Sequence, residues 1–422
     1  MNKKLIITAV TSSLLTLSIG KDANASEFSK YITWAPSHNV YFEKTSKPFY
    51  TLGLVKYKLL LPETRVVFGG KIQVDPQYWE GGVTYSSANS KTSGSTVLLS
   101  SVDLDFMGNL NNLVSAFAQL EKSSPTGGSM QIGRAAIILG DLSKSPFYAA
   151  IGQINLQFGS FAPDAGPWAN GLDTNAFRPS NTVKQISLGY DKNGLTAGIA
   201  LFENKNSSTD AGATQNNNIN DFMVSSSFKN AYKPANIEYM FGAGYINDMR
   251  YINNTWGNHY DNTTKTTGNM FANSNGITDK RLPALDLNAE ITFNQLVALK
   301  AEYNQILTGV TTTGGANTSL NIKNKRPAAW AVSGFLTPVI YGETTTFWVA
   351  YSQTQNMQGL PIGLAGNAYA DQDTNGLKHA WNIAVSRSIF DKNNIIALDY
   401  QRVENYSGKQ GNTYTIDDNY YF

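Results

Sequence analysis

From residue 64 onward the chain repeats one pattern. Stretches of about ten residues alternate apolar and polar side chains, and the links joining them are alternately short and long. In Ala284–Phe293 the apolar set is Leu285, Leu287, Ala289, Ile291 and Phe293, set against Asp286, Asn288, Glu290 and Thr292. In 296–307, Val297, Leu299, Ala301 and Tyr303 alternate with Lys300, Glu302 and Asn304. Period two is the signature of a strand with one apolar and one polar face, and Asn294-Gln295 between these two reads as a tight hairpin turn.

Strands are expected at 64–74, 96–106, 112–121, 130–139, 147–158, 183–191, 194–204 and 219–229. Eight more follow at 236–246, 284–293, 296–307, 327–337, 344–353, 378–389, 394–404 and 412–422. Most are close to the ~9–11 residues that a tilted strand needs to cross a bilayer. Short links fall at 107–111, 140–146, 192–193, 230–235, 294–295, 338–343 and 390–393. The long ones fall between them, including 75–95, 159–182, 205–218, 247–283 and 354–377. A soluble sandwich has no reason to segregate its loops this way, whereas a barrel crossing a membrane does.

No stretch beyond the first 25 residues approaches the ~18 continuous apolar residues of a membrane helix. A chain of this kind therefore crosses lipid as a closed barrel, in which every backbone polar group is paired. The expected fold is all-β: a transmembrane antiparallel up-and-down β-barrel of about 16 strands, with short periplasmic turns and long extracellular loops. Residues 49–60 form a further strand-like run. Paired with 38–44 they would make eighteen strands; otherwise 26–60 is an N-terminal extension lying in the periplasm or in the lumen.

Asn2-Lys3-Lys4, the apolar run from Leu5 to Gly20 and Ala23-Asn24-Ala25 read as the basic, apolar and cleavage regions of a secretory signal peptide, residues 1–25. The domain reading is thus leader, extension 26–60 and barrel 61–422, with the bacterial outer membrane as destination. Tyr414, Ile416, Tyr420 and Phe422 share one face of the last strand. That face resembles the terminal strand read by the barrel-insertion machinery, although Asp418 interrupts it.

Composition narrows the chemistry. With no cysteine there is no disulfide framework, thiol nucleophile or thiolate metal site. His38, His259 and His379 lie in unrelated contexts, and none stands in a nucleophile elbow or a zinc signature. No catalytic residue, metal site or cofactor is therefore expected. A net charge of +2 points to no nucleic-acid partner. Aromatic residues at 12%, 36 glycines and only 15% charged residues suit a wall of short strands with aromatic belts and loop turns.

On such a wall the apolar face meets lipid and the polar face lines water. The rule puts Arg65, Lys71, Asp103, Asp105, Glu121, Gln153, Asn155 and Gln157 inside. Asp286, Glu290, Lys300, Glu302, Asp399 and Gln401 complete the expected lining. Groups of both signs on opposed walls filter solutes by charge and size, but leave the sign of the preference open. Arg134 and Arg387 fall on the apolar parity of their segments, which implies a bulge or a position near the membrane interface. Trp330, Trp348, Tyr351, Trp381, Tyr400 and Tyr420 are expected in interfacial girdles.

One region carries a family resemblance. Gly152-Gln153-Ile154-Asn155-Leu156-Gln157-Phe158-Gly159-Ser160-Phe161 is followed by Asn175-Ala176-Phe177-Arg178 and by Gln185-Ile186-Ser187-Leu188-Gly189-Tyr190-Asp191-Lys192-Asn193-Gly194-Leu195. The order resembles the LbtU-type siderophore porins of gammaproteobacteria, as does the hairpin carrying Val102–Phe106 and Ala116–Glu121. The resemblance implies an outer-membrane barrel that takes up an iron–siderophore chelate without the plug domain of energy-coupled receptors. The matching region is Gln153–Phe161 with Arg178. Independently of the resemblance, Phe161, Pro163, Pro167 and Trp168 make loop 159–182 stiffer than the Asn-rich loops, and whether it enters the lumen stays open; Phe161, Trp168 and Arg178 are the candidate loop residues. The implied partners are outer-membrane lipid and a small solute, a ferric siderophore among them, with homo-oligomerisation undecided. A general diffusion pore and a surface adhesin barrel are the alternatives.

Overall fold

The computed structural model describes residues 32–34, 50–58, 66–81, 93–123, 130–160, 171, 176–177, 179, 183–203, 219–250, 259–260, 267–268, 281–311, 324–358, 376–390 and 393–422. Residues 1–25, read above as a leader, and Arg65, Phe161, Trp168 and Arg178 lie outside them.

Sixteen long strands among these residues form one wall. They are β1 (Val66–Gly81), β2 (Ser93–Asn109), β3 (Val114–Ser123), β4 (Gln131–Leu139), β5 (Phe147–Ile154) and β6 (Val183–Lys192). Then come β7 (Leu195–Phe202), β8 (Asp221–Tyr232), β9 (Ile237–Ile246), β10 (Ala284–Phe293) and β11 (Val297–Ile306). The last five are β12 (Ala328–Leu336), β13 (Glu343–Gln355), β14 (Leu377–Ser388), β15 (Asn394–Asn405) and β16 (Gln410–Tyr421). Each pairs antiparallel with its sequence neighbours, and β16 pairs antiparallel with β1, so the sheet has no free long edge. Closure ends on Gly70 and Phe422, whose backbone groups exchange hydrogen bonds of 2.7 and 2.9 Å.

Side-chain parity follows the pleat. Ile186 and Leu188 on β6, Ile199 and Leu201 on β7, and Phe222 and Val224 on β8 point outward and are exposed. Similar rows on the other strands join them into a belt far larger than a water-soluble surface tolerates. Lipid is the solvent that fits such a belt, so this is a barrel of the bacterial outer membrane. A concavity of about 1200 Å³ on this outer face, lined by Val349, Ile383, Leu398 and Ile416, belongs to the lipid side.

Turn chemistry fixes the register at the short-link end. Asn193-Gly194 has φ of 55° and 83°, and Asn294-Gln295 has 51° and 56°, the left-handed pairs whose twist suits two-residue hairpins. The β1–β2 hairpin is longer than its hydropathy indicates, because pairing continues from Val74↔Leu99 to Glu80↔Ser93 past a bulge. Residues 75–81 and 93–95 of the expected 75–95 loop are therefore strand.

Within the strand-like run 49–60, the described residues 50–58 do not form a strand, and the expected partner run 38–44 lies outside the described residues. Tyr50–Lys58 is an α-helix, α1, and the three-residue strand Ile32–Trp34 pairs parallel with Val66–Phe68 beside the barrel seam. The β-branched and aromatic residues of 49–60 favour a strand locally. With β1 and β16 already paired, the wall offers no long edge to receive one, and packing overrides propensity. Leu52, Leu54 and Val55 are buried with Met107, Phe117, Ala136, Ile138, Tyr148, Ala150 and Ile154. Those wall residues all point inward, so α1 lies inside the barrel.

Candidate functional site: the barrel lumen

The interior is built from the inward parity of each strand. On β1 to β3, Lys71 opposes Asp103, Asp103 opposes Glu121 and Asp105 opposes Gln119. Asp399 of β15 opposes Thr415 of β16 and Ala384 of β14, while Asp286, Glu290, Lys300 and Glu302 share the inner face of β10 and β11. Asp75 and Asp417, which alternation had not singled out, are also inward and fully buried.

These charges are held by near neighbours on the same face. Lys71 Nζ lies 3.6 Å from Asp103 Oδ2, and Lys300 Nζ lies 3.4 Å from Glu290 Oε2. Amides two residues away on the same strand face donate to three carboxylates: Asn288 to Asp286 at 2.6 Å, Asn419 to Asp417 at 2.8 Å, and Gln73 to Asp75 at 3.1 Å. Period two makes that contact automatic. Along the adjoining strands β15, β16, β1, β2 and β3 the described inner face carries Asp399, Asp417, Asp75, Asp103, Asp105 and Glu121 against Lys71. That wall is acidic.

Past Ile154 the chain leaves the wall and enters the lumen. Gln157 and Phe158 are buried there, and the inner faces opposite them are glycine. A Cβ on Gly198 would come 2.8 Å from Gln157 Oε1, and one on Gly244 would come 3.2 Å from the Phe158 ring. Ser160 then reaches β11: its N–H donates to Glu302 Oε1 at 3.0 Å and its hydroxyl donates to Oε2 at 2.6 Å. Leu156, Phe158 and Phe177 pack with Phe202, Met223 and Ile246 on the inner wall, so the segment from 155 to 160 is anchored on both polar and apolar contacts.

The closed barrel fold is shared with two solved structures. The outer membrane channel DcaP of Acinetobacter baumannii superposes with a TM-score of 0.51 at 12% identity, covering 85% of this chain and 97% of that one. A triple mutant of the Rhodopseudomonas blastica porin gives 0.51 at 10% identity, covering 85% and 100%. At such identities the likeness concerns the fold. A UPF0422 protein of Coxiella burnetii (strain RSA 493 / Nine Mile phase I) is 30% identical over 143 residues, which is 32% of this chain and 28% of that protein's length. The family described as "Protein of unknown function (DUF3573)" matches residues 44–272, more than half of the chain. The chain belongs to the DUF3573 family. The matched span includes α1, the inward segment and the first nine strands of this DUF3573 barrel.

The barrel also departs from the alternation rule, and each departure has a local cause. Gln153 does not face the lumen. It opposes Ala135 and Lys184 on the outward parity, and its amide donates to the carbonyl oxygen of Gly133 at 3.3 Å. Beneath α1 the inward positions are the apolar ones, Tyr148, Ala150 and Ile154, so polarity and parity exchange roles on β5. Asn155 and Gln157 lie beyond the strand end, on the inward segment rather than the wall.

Arg134 is inward, opposite Gln119, because a bulge at Gly133 shifts the register. Its Nε donates to Asn155 Oδ1 at 2.8 Å and so helps steer the chain off the wall. Arg387 keeps the outward parity, opposite Thr345, one residue from the end of β14, where interfacial charge costs little. Trp348 departs from the expected girdle. It faces inward, stacked on Phe335 at 6.0 Å, whose ring lies 4.9 Å from Lys300 Nζ. Trp330, Tyr351, Trp381, Tyr400 and Tyr420 take the outward parity. His379 hydrogen-bonds the Tyr351 hydroxyl at 2.8 Å on that outer face.

Proposed function

We propose that this DUF3573 barrel is a diffusion pore for small solutes, with a preference for neutral and cationic ones. The carrying observation is the carboxylate-rich inner wall facing a lumen narrowed by the Ser160–Glu302 anchor. A sixteen-strand barrel is wide enough to leave an aqueous channel. Fixed carboxylates on its wall raise local cation concentration and repel anions.

The test is a planar-bilayer recording of the refolded protein in a salt gradient. The reading expects discrete conductance steps and a reversal potential of the sign that marks cation preference. A barrel that folds, by heat-modifiable migration, and stays electrically silent would overturn the pore. Anion preference would overturn only the charge assignment.

A ferric siderophore is the finer reading of the cargo. Its support is the resemblance carried by Gly152–Phe161, whose residues 155–160 are the ones that enter the lumen. An acidic wall suits a neutral or cationic chelate better than an anionic one. Deletion of the gene followed by iron–siderophore uptake under iron limitation tests it. Unchanged iron uptake together with altered sugar or amino-acid permeability leaves general diffusion.

A further inference from the structure

Helix α1 has a seat of its own. Thr51, Leu52, Leu54 and Val55 are buried, the last two completely, and they close on inward residues of β2 to β5. At the end of the helix Lys56 Nζ lies 2.9 Å from Asp191 Oδ2 on β6, while about half of the Lys56 side chain stays exposed. The inner wall beside the seat is polar, with Gln119 and Glu121 farther along β3 and Gln185 and Ser187 on the next strand, β6. Apolar inward residues in a water-filled barrel carry a hydration cost, and α1 removes it. Wall and helix thus match in chemistry, and the seat sits toward the short-turn end, where Asp191 and Ile138 lie.

We infer that α1 is a resident constriction element that sets the width and solute cut-off of the short-turn half of the lumen. The inference rests on the pore reading above and assigns part of its selectivity to a segment outside the wall. An α-helix with side chains is about 10 Å across, a large share of the channel in a sixteen-strand barrel. Displacing it widens the path, and no wall residue has to change. Lys56 further places a cation at the constriction, paired with Asp191 on the wall.

The test compares wild type with the double variant Leu54→Ser plus Val55→Ser, which strips the apolar face of α1 and leaves every wall residue in place. Heat-modifiable migration reports that the barrel has formed. Single-channel conductance is expected to rise about twofold or more, and liposome swelling to admit larger neutral sugars. If wild type conducts and the double variant matches it in conductance and cut-off, the role of α1 is overturned while the pore stands. If wild type is silent and the variant conducts, α1 is a complete plug and the resting-pore reading fails.

A readout independent of conductance uses the cysteine-free background. Leu54→Cys alone is expected to resist a polar maleimide in the folded barrel and to react after unfolding. Rapid labelling of the folded form would mean that α1 does not occupy its seat, and would overturn the proposal even if the double variant failed to fold.

Discussion

Ser160 and Glu302, 142 residues apart in sequence, meet inside the barrel through two hydrogen bonds of 3.0 and 2.6 Å to one carboxylate. The first residue arrives on the segment leaving β5 and the second stands on β11, so the pair ties an inward excursion to a distant part of the wall. A hydrogen bond to a charged acceptor contributes about 1.5–3 kcal/mol, enough to hold a short segment in one place. Ser160→Ala removes the shorter bond, and Glu302→Leu removes both acceptors. Both variants are expected to show larger and noisier single-channel steps, Glu302→Leu more so. Recordings indistinguishable from wild type would mean that the anchor does not control the path.

The β6–β7 hairpin turns on Gly194, whose φ of 83° is left-handed and whose Cβ, if present, would lie 2.0 Å from the Lys229 carbonyl oxygen. Gly194→Val meets both the backbone penalty and the clash. Loss of about 2 kcal/mol or more is expected, since a left-handed residue with a branched side chain alone costs about 1–3 kcal/mol. Urea midpoints of the refolded barrel measure it, and an unchanged midpoint would show that the hairpin relaxes freely.

Closure of the barrel depends on space at Gly70. A Cβ there would approach the Asp103 carbonyl oxygen to 2.4 Å and the Phe422 ring to 2.6 Å. Gly70→Val is expected to lower the yield of the heat-modifiable form. Adding Phe422→Ala should restore it only in part, because the backbone clash remains. Full rescue would assign the whole effect to the ring.

The turn after β4 contains one carboxylate with a defined pH response. A hydrogen bond from the Ser143 hydroxyl, 2.5 Å, holds Asp141 below the usual carboxylate range, assisted by the Ser143 N–H and by Lys144 at 3.6 Å. A lowered folded pKa stabilises the turn above the ordinary aspartate pKa, and that contribution is lost as pH falls through the folded value. Ser143→Ala should move the loss to higher pH. NMR titration of the Asp141 carboxyl reads this directly; an identical midpoint in the variant would refute the assignment.

Residue by residue, the alternation was informative wherever the inner face of the wall is polar. Lys71, Asp103, Asp105, Asp286, Lys300 and Glu302 take the inward face that their apolar neighbours dictate. It misled at Gln153, where α1 covers the inner surface and an apolar interior is the stable one. Arg134 looked anomalous until the bulge at Gly133 shifted its parity, and Trp348 looked like a girdle residue because an aromatic ring fits either face of a barrel. Asp417 had a usable signal, since Tyr414 and Ile416 on the outer face put it inward, whereas Asp75 fell just past the expected strand end at 74.

The sequence by itself determined the wall: period two is a local property of each strand, and the loop lengths order the strands around the barrel. What fills the wall was decided only by tertiary structure. The helix at Tyr50–Lys58 and the inward segment 155–160 are stabilised by inner-face residues far away in sequence, in Phe117, Ile138, Gly244 and Glu302. Those partners exist as a surface only after the sheet has closed, and no local pattern encodes a surface that closure creates.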